Sequence, residues 1–210
     1  MRAISIPDSL QDYFNDPSLR SVVEHLLEQT DEHLPAGLGW QDVRTYHSAR
    51  LAALKVRADF ALLLLELWDT SWKLALERHG MDENSAWDME SMANYDGDPS
   101  PGRLWRERAF CRCYSYTGVR RRVFEMDTRV RIDPEQGIRL FLRIEDGEGQ
   151  DVLPAQLQLP FPWEYERLEG YDFQATPRRF LLPARTGELE VSGLLTLANQ
   201  ALTCFMEWVH

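Results

Sequence analysis

Residues 51–76 read LAALKVRADFALLLLELWDTSWKLAL, and this stretch decides the fold. Leu54, Ala58, Ala61, Leu65, Trp68 and Trp72 recur at alternating spacings of four and three, which is a helical period. Leu51, Leu62, Leu63, Leu67 and Leu74 fill much of the remaining circumference. A helix apolar nearly all round is expected to be buried on most sides. Asp59, Glu66 and Lys73, spaced by seven, mark the strip left for water. Upstream, the helix is expected to begin near Trp40 or Gln41. Downstream, Gly80 reads as the glycine that ends it, behind Arg78 and His79. Unbroken, such a helix is roughly 60 Å long, so a kink or break is expected near residues 47–51. Lys55, Arg57, Asp59, Glu66 and Asp69 make the stretch unsuited to crossing a membrane.

Working outward, the N-terminal side is helical. Pro7–Phe14 reads as a short helix. Asp16-Pro17-Ser18 opens a second, expected to reach about Thr30, with Leu19, Val22, Val23, Leu26 and Leu27 as its apolar face. Residues 81–102 change character to an acidic junction. A short helix is expected over Ser85–Met92, and Asp-Gly-Asp-Pro-Ser-Pro-Gly supplies loop chemistry.

After Arg108 the period changes to two. Phe124, Met126, Thr128, Val130 and Ile132 alternate with charged residues. Beyond a turn at Asp133–Gly137, Ile138, Leu140, Leu142 and Ile144 do the same. This predicts a β-hairpin with one core face and one charged face. With Ile132 opposite Ile138, Asp127 falls opposite Arg143 and Arg131 opposite Arg139. Ala109–Tyr116 is expected to precede it as an antiparallel strand, and Val152–Leu159 to follow as an edge strand, because it carries Pro154. Short strands are expected at Trp163–Arg167 and Arg178–Leu182, and a closing helix over Ser192–Trp208.

The predicted class is therefore α+β. An N-terminal helical half with one long central helix (1–80) leads through an acidic junction (81–102). An antiparallel meander of three to five strands (103–183) follows, and a C-terminal helix (187–210) closes the chain. At 210 residues a single domain spanning 1–210 is expected.

Composition narrows the function classes. Three cysteines, Cys111, Cys113 and Cys204, do not make a secreted disulfide framework. Residues 1–14, MRAISIPDSLQDYF, lack the apolar run of a secretory signal, so the expected location is cytoplasmic. Lys55 and Lys73 are the only lysines against 21 arginines, a bias typical of a GC-rich bacterial genome. Charge is segregated. Residues 103–143 hold 11 basic and 5 acidic groups, residues 1–102 hold 8 and 18, and residues 144–210 hold 4 and 11.

Several groupings carry potential chemistry. Arg120, Arg121, Arg122, Arg129, Arg131, Arg139 and Arg143, with Phe141 nearby, could hold phosphates and stack bases on the meander. The competing reading is a solvated face paired with Glu125, Asp127 and Glu145. Nucleic-acid binding requires Arg129, Arg131, Arg139 and Phe141 to lie open together, free of ion pairs. His25, Glu28 and Glu32, with His33, have helical spacing for a divalent metal, but no matching pair stands on the long helix. Cys111 and Cys113 point to one strand face and read as core. The acidic junction, with Asp88, Glu90, Asp96 and Asp98, suits a basic protein surface. Trp163, within Phe161-Pro162-Trp163-Glu164-Tyr165, is a core residue under a loop or, if exposed, an anchor for a partner.

Neither a phosphate-binding glycine loop nor a nucleophile elbow occurs. No lysine follows Lys73, which disfavours a nuclease built on paired carboxylates and a strand lysine. No cofactor and no metal is expected. The sequence points to a non-enzymatic protein-interaction module of a bacterial cytosol, an accessory subunit, inhibitor or immunity-type partner, docking through charged and aromatic surfaces. Residues 82–98 or the arginine face are the expected contact, and the apolar excess of Leu51–Leu76 is an expected interface with itself or another chain. Another protein, or a second copy of the chain, is the expected partner, with no membrane. Single-stranded nucleic-acid binding by the meander is the alternative, and a metal-dependent hydrolase the second alternative.

Overall fold

The computed structural model describes residues 3–28, 37–81, 100–168, 171–175 and 187–210. The class is α+β, with a long central helix, antiparallel sheets and a C-terminal helix. Two short helices, α1 (Asp8–Asn15) and α2 (Pro17–Glu28), precede the organising helix α3 (Trp40–Trp68). Asp16 terminates the first and opens the second. Its carboxylate accepts from the backbone N–H groups of Ser18 (2.8 Å) and Leu19 (3.2 Å), satisfying two otherwise unpaired donors of the first turn of α2.

α3 runs without interruption through residues 47–51, so the expected break is not there. The irregularity lies at Asp69–Lys73, a π-helical turn, after which α4 (Leu74–Arg78) completes the rod. The physical reason is local. The Thr70 hydroxyl donates to the Glu66 carbonyl (2.7 Å) and the Ser71 hydroxyl to the Leu67 carbonyl (2.6 Å). These hydroxyls compete for the acceptors that an α-helical ladder uses, and the turn widens. The end is as expected. Gly80, at φ 74°, donates to the Glu77 carbonyl (3.1 Å) and Met81 donates to the Leu76 carbonyl (3.0 Å). Both Met81 and Leu76 are buried, completing a glycine-capped stop.

A helix missed by the periodicity, α5 (Pro101–Glu107), leads into the sheet. Its strands are β2 (Ala109–Thr117), β3 (Val123–Asp133), β4 (Gly137–Asp146), β5 (Glu164–Leu168) and β6 (Tyr171–Ala175), in the spatial order β2-β3-β4-β6-β5. The hairpin register is the expected one, with Ile132 opposite Ile138, Asp127 opposite Arg143 and Arg131 opposite Arg139. β1 (Ala3–Ser5) pairs antiparallel with β7 (Glu188–Glu190) in a separate two-stranded sheet. Helix α6 (Ser192–Val209) closes the chain.

Val152–Leu159 is not a strand. Only Asp151 bridges to β4, at Glu145. The amides of Gln156 and Leu157 both turn back to the Val152 carbonyl, and Pro154 has no N–H to offer a ladder. The apolar residues Val152, Leu153, Leu157 and Leu159 are still buried, so the segment packs as a folded loop. The expected strand at Arg178–Leu182 and the expected helix at Ser85–Met92 lie outside the described residues.

One contiguous apolar cluster joins the helical half to the sheet. Phe124, Met126, Val130, Ile132, Ile138, Leu140, Leu142 and Ile144 line its sheet side, with at most 1% exposure. From the helix side, the Trp68 ring lies 5.6 Å from Phe110 and stacks on Tyr114 at 6.2 Å. Two indoles fix the helix to the sheet. The Trp68 N–H donates to the Thr128 hydroxyl oxygen (3.2 Å), and the Trp72 N–H donates to the Arg129 carbonyl (3.1 Å). A buried indole needs such a partner. The Arg108 guanidinium clamps the helical half as well. It sits 3.9 Å from the Trp105 ring centre and 5.1 Å from that of Phe60, while donating to Glu24 (2.8 Å). α6 covers the other end of the sheet, where Phe205 and Trp208 each lie 5.5 Å from Phe124.

Candidate functional site

Two surfaces are candidates: the sheet face turned away from the core, and the outward side of α3. The sheet face follows from the pleat. With even positions of β3 committed to the core, odd positions of β2, β3 and β4 point the other way. Register brings Cys111 opposite Arg129, Cys113 opposite Asp127, and Arg129 opposite Phe141. The cysteines therefore lie on the charged face, half-buried, and not in the core as expected. The core positions of β2 are taken by the larger Phe110 and Tyr114. Burial, with Asp127 close by, pushes the Cys113 thiol far up, so it stays protonated and inert as a nucleophile.

Three arginines of this face are engaged by acids. Arg129 pairs with Asp127 (3.5 Å), Arg143 with Glu145 and with Asp151 (2.9 Å), and Arg139 with Glu166. Burial pushes the Asp127 carboxyl up against the pull of Arg129 and Arg143. Phe141 is fully buried, with the Arg139 guanidinium 5.2 Å from its ring centre. Arg131 borders a polar cleft of about 220 Å³ lined also by Asp133, Gln136, Gly137, Arg139 and Glu166. The condition for base stacking, these arginines and Phe141 open together and free of ion pairs, is not met.

Arg120, Arg121 and Arg122 are not part of this face. They lie in or beside the 3₁₀ turn Val119–Arg121 that joins β2 to β3. That places them about 30 Å from Arg131 along β3. Arg121 and Arg122 are exposed, and the Arg122 guanidinium lies 5.4 Å from the Phe124 ring centre. The single basic patch read from the sequence is thus spread along the meander, with Arg129, Arg131 and Arg139 towards one end, Arg143 opposite Asp127 in the middle and Arg120, Arg121 and Arg122 at the other end.

Other sequence candidates fall as follows. Asp88, Glu90, Asp96 and Asp98 lie outside the described residues, as do Glu32 and His33. His25 and Glu28 are on α2. Among the described residues no group of three or more His, Cys, Asp or Glu side chains is placed to hold a metal ion. Trp163, expected as a contact residue if exposed, is 5% exposed, with its ring 6.1 Å from that of Trp72. Its neighbour Phe161 is 87% exposed instead. Among the described residues no helix is long and apolar enough to cross a membrane.

The apolar excess of Leu51–Leu76 marks α3 as an interface in the sequence, but the periodicity does not say which side is left outward. Ala53, Val56, Phe60, Leu63, Leu64, Leu67 and Trp68 form its buried side. Opposite them, Trp40 is 80%, Leu51 53% and Leu62 63% exposed. Leu54, Ala58 and Leu65, half-buried, flank that line. Exposed Arg44 and His47 lie along it towards the N-terminus, and exposed Glu66 and Asp69 towards the C-terminus. Residues 40–52 contain no fully buried residue, with Val43, Tyr46, Ala49 and Arg50 half-buried, so about the first 20 Å of the helix is only partly covered. The expectation that α3 is buried on most sides, with a polar strip outward, needs correction. Asp59 belongs to the flank, where it accepts from Ser9 (2.6 Å) and Lys55. Leucines face the water. Comparison with protein-family models, with curated proteins and with solved structures finds no match to the chain.

Proposed function

We propose that the protein is a non-catalytic protein-interaction module, of the accessory-subunit, inhibitor or immunity type, that docks through the outward side of α3. The observation that carries this reading is the alignment of Trp40, Leu51 and Leu62 on one side of one helix, each more than half exposed. They span about 33 Å. Isolated exposed leucines need no explanation, but Leu51 and Leu62, joined by half-buried Leu54, Ala58 and Leu65 and bounded by charges at both ends, form a continuous apolar strip that marks an interaction site. The charged sheet face supports the reading by contrast, because Arg129, Arg139 and Arg143 are each paired with an acid of the same chain. The arginine-for-lysine bias and the cysteine usage suggest a bacterial cytosol as the setting.

The test is affinity capture from lysate of the source organism, split into nuclease-treated and untreated halves, comparing the native chain with a Leu51→Asp/Leu62→Asp variant. Both positions are exposed, so the variant is expected to fold. A protein captured by the native chain and lost with the variant supports the reading. Capture that ignores the variant overturns α3 as the contact. Recovery of nucleic acid that nuclease abolishes and Arg129→Glu/Arg131→Glu weakens would favour the sheet face instead.

A further inference from the structure

We propose that the occupant of the outward side of α3 is a second copy of this chain, packed antiparallel about a twofold axis that passes beside residues 56 and 57. The inference rests on the proposed docking role of that side and names its partner.

The argument begins with spacing. Residues 44, 48, 51, 55, 58, 62, 65 and 69 are separated by four and three in strict alternation. Positions so spaced share one side of a helix, and its middle, Leu51, Ala58, Leu62 and Leu65, carries the apolar residues that a helix-helix seam needs. The seam reads Arg44, Ser48, Leu51, Lys55, Ala58, Leu62, Leu65 and Asp69. All are exposed or half-buried in the chain alone.

Charge then selects the direction. A twofold interface is self-complementary: if one residue meets another, the second meets the first. With helices antiparallel and the axis between residues 56 and 57, Leu51 meets Leu62 of the other copy. In the same register Arg44 meets Asp69 and His47 meets Glu66. Each relation occurs twice. A parallel pair would set Arg44 on Arg44, Glu66 on Glu66 and Asp69 on Asp69, juxtaposing like charges. Sliding the antiparallel pair by one heptad places Leu51 on Asp69, or Arg44 on Leu62. Of these registers, the one about residues 56 and 57 buries both leucines and joins opposite charges at both ends, while Lys55, which meets Ala58 beside the axis, keeps Asp59 of its own chain as partner. Among the described residues, the core lies on the opposite side of α3.

Sedimentation velocity of the purified full chain over a range of concentrations tests the proposal. A concentration-dependent dimer is expected. Leu51→Asp/Leu62→Asp should be monomeric with an unchanged far-ultraviolet spectrum. Arg44→Asp should weaken the dimer by about tenfold, since both copies lose a favourable pair. Arg44→Asp/Asp69→Arg should restore it. A second measurement does not depend on charge. A mixture of Leu51→Cys and Leu62→Cys variants should form an interchain disulfide that neither forms alone. A strictly monomeric native chain overturns the proposal, as does a dimer indifferent to the leucines or a charge swap that fails to restore. A monomeric chain that still captures a lysate protein through α3 overturns this inference and leaves the docking role standing. Loss of both effects overturns the two together.

Discussion

The outward sheet face and the outward side of α3 invert what their compositions suggest. The sheet face carries the arginines, yet its acids hold them: Arg129 by Asp127, Arg139 by Glu166, Arg143 by Glu145 and Asp151. The helix side carries leucines at positions where burial would be expected, and they remain in water. A charge is available to a partner only when its own chain has not neutralised it. An apolar side chain is available when its own core has not covered it.

The largest effect that separates inner from outer positions is expected at Trp72. It is fully buried and anchors the π-helical turn to β3. Trp72→Ala should lower unfolding free energy by about 3–5 kcal/mol in denaturant titration. A loss near zero would mean that the rod is not held to the sheet at this point. Next comes Thr128→Val. The Thr128 hydroxyl accepts from Trp68 and donates to the Arg112 carbonyl (3.0 Å), all within the core. About 1–3 kcal/mol should be lost, again read in denaturant.

On the sheet face, Glu166→Gln weakens the pair with Arg139. The carboxylate is 37% exposed, so solvent screening limits the cost to about 1 kcal/mol or less. A larger loss would show the ion pairs of this face to be structural supports. On the helix side, Leu62→Asp should change monomer stability by less than about 0.5 kcal/mol, measured at concentrations below any self-association. A large loss would place Leu62 in the core and remove the contrast between the two surfaces.

The smallest effect is a pH dependence. Burial, with Arg78 nearby, holds His79 below its ordinary value. As pH falls through about 6.5, the unfolded chain takes up this proton before the folded one, so stability declines with falling pH. The decline continues until the folded imidazole also titrates. His79→Gln should flatten the melting temperature across that window. An unchanged slope would assign the dependence to another group.

Much of the frame was legible in the sequence, and the reason is periodicity. The β3–β4 register followed from alternation because a one-residue slip would turn every core residue outward. Gly80 announced the end of the rod because its left-handed backbone suits glycine. What escaped has identifiable causes. The π-helical turn depends on two hydroxyls, Thr70 and Ser71, whose choice of acceptor leaves no mark on apolar spacing. The β1–β7 pair joins three-residue segments from opposite ends of the chain, too short for a period to show. A helix apolar all round does not state which side will be covered, so Leu51 and Leu62 could be placed outward only once α1, α2 and the sheet had taken the other side. The pairing of the arginines was visible for Asp127 and Glu145, which alternate with them. It was invisible for Asp151 and Glu166, which arrive from later segments.

The two indoles that fasten α3 to β3 have an optical consequence. Trp68 and Trp72 are sealed from water, and Trp105 and Trp163 are nearly so, whereas Trp40 at the far end of the same helix is open to it. Emission from the sealed rings should be blue-shifted and resistant to iodide, and emission from Trp40 red-shifted and readily quenched. The chain thus carries its own dye at the free end of the rod. Trp208 is half-buried and Trp87 lies outside the described residues, so a Trp40→Phe variant identifies which component of the spectrum reports on that end.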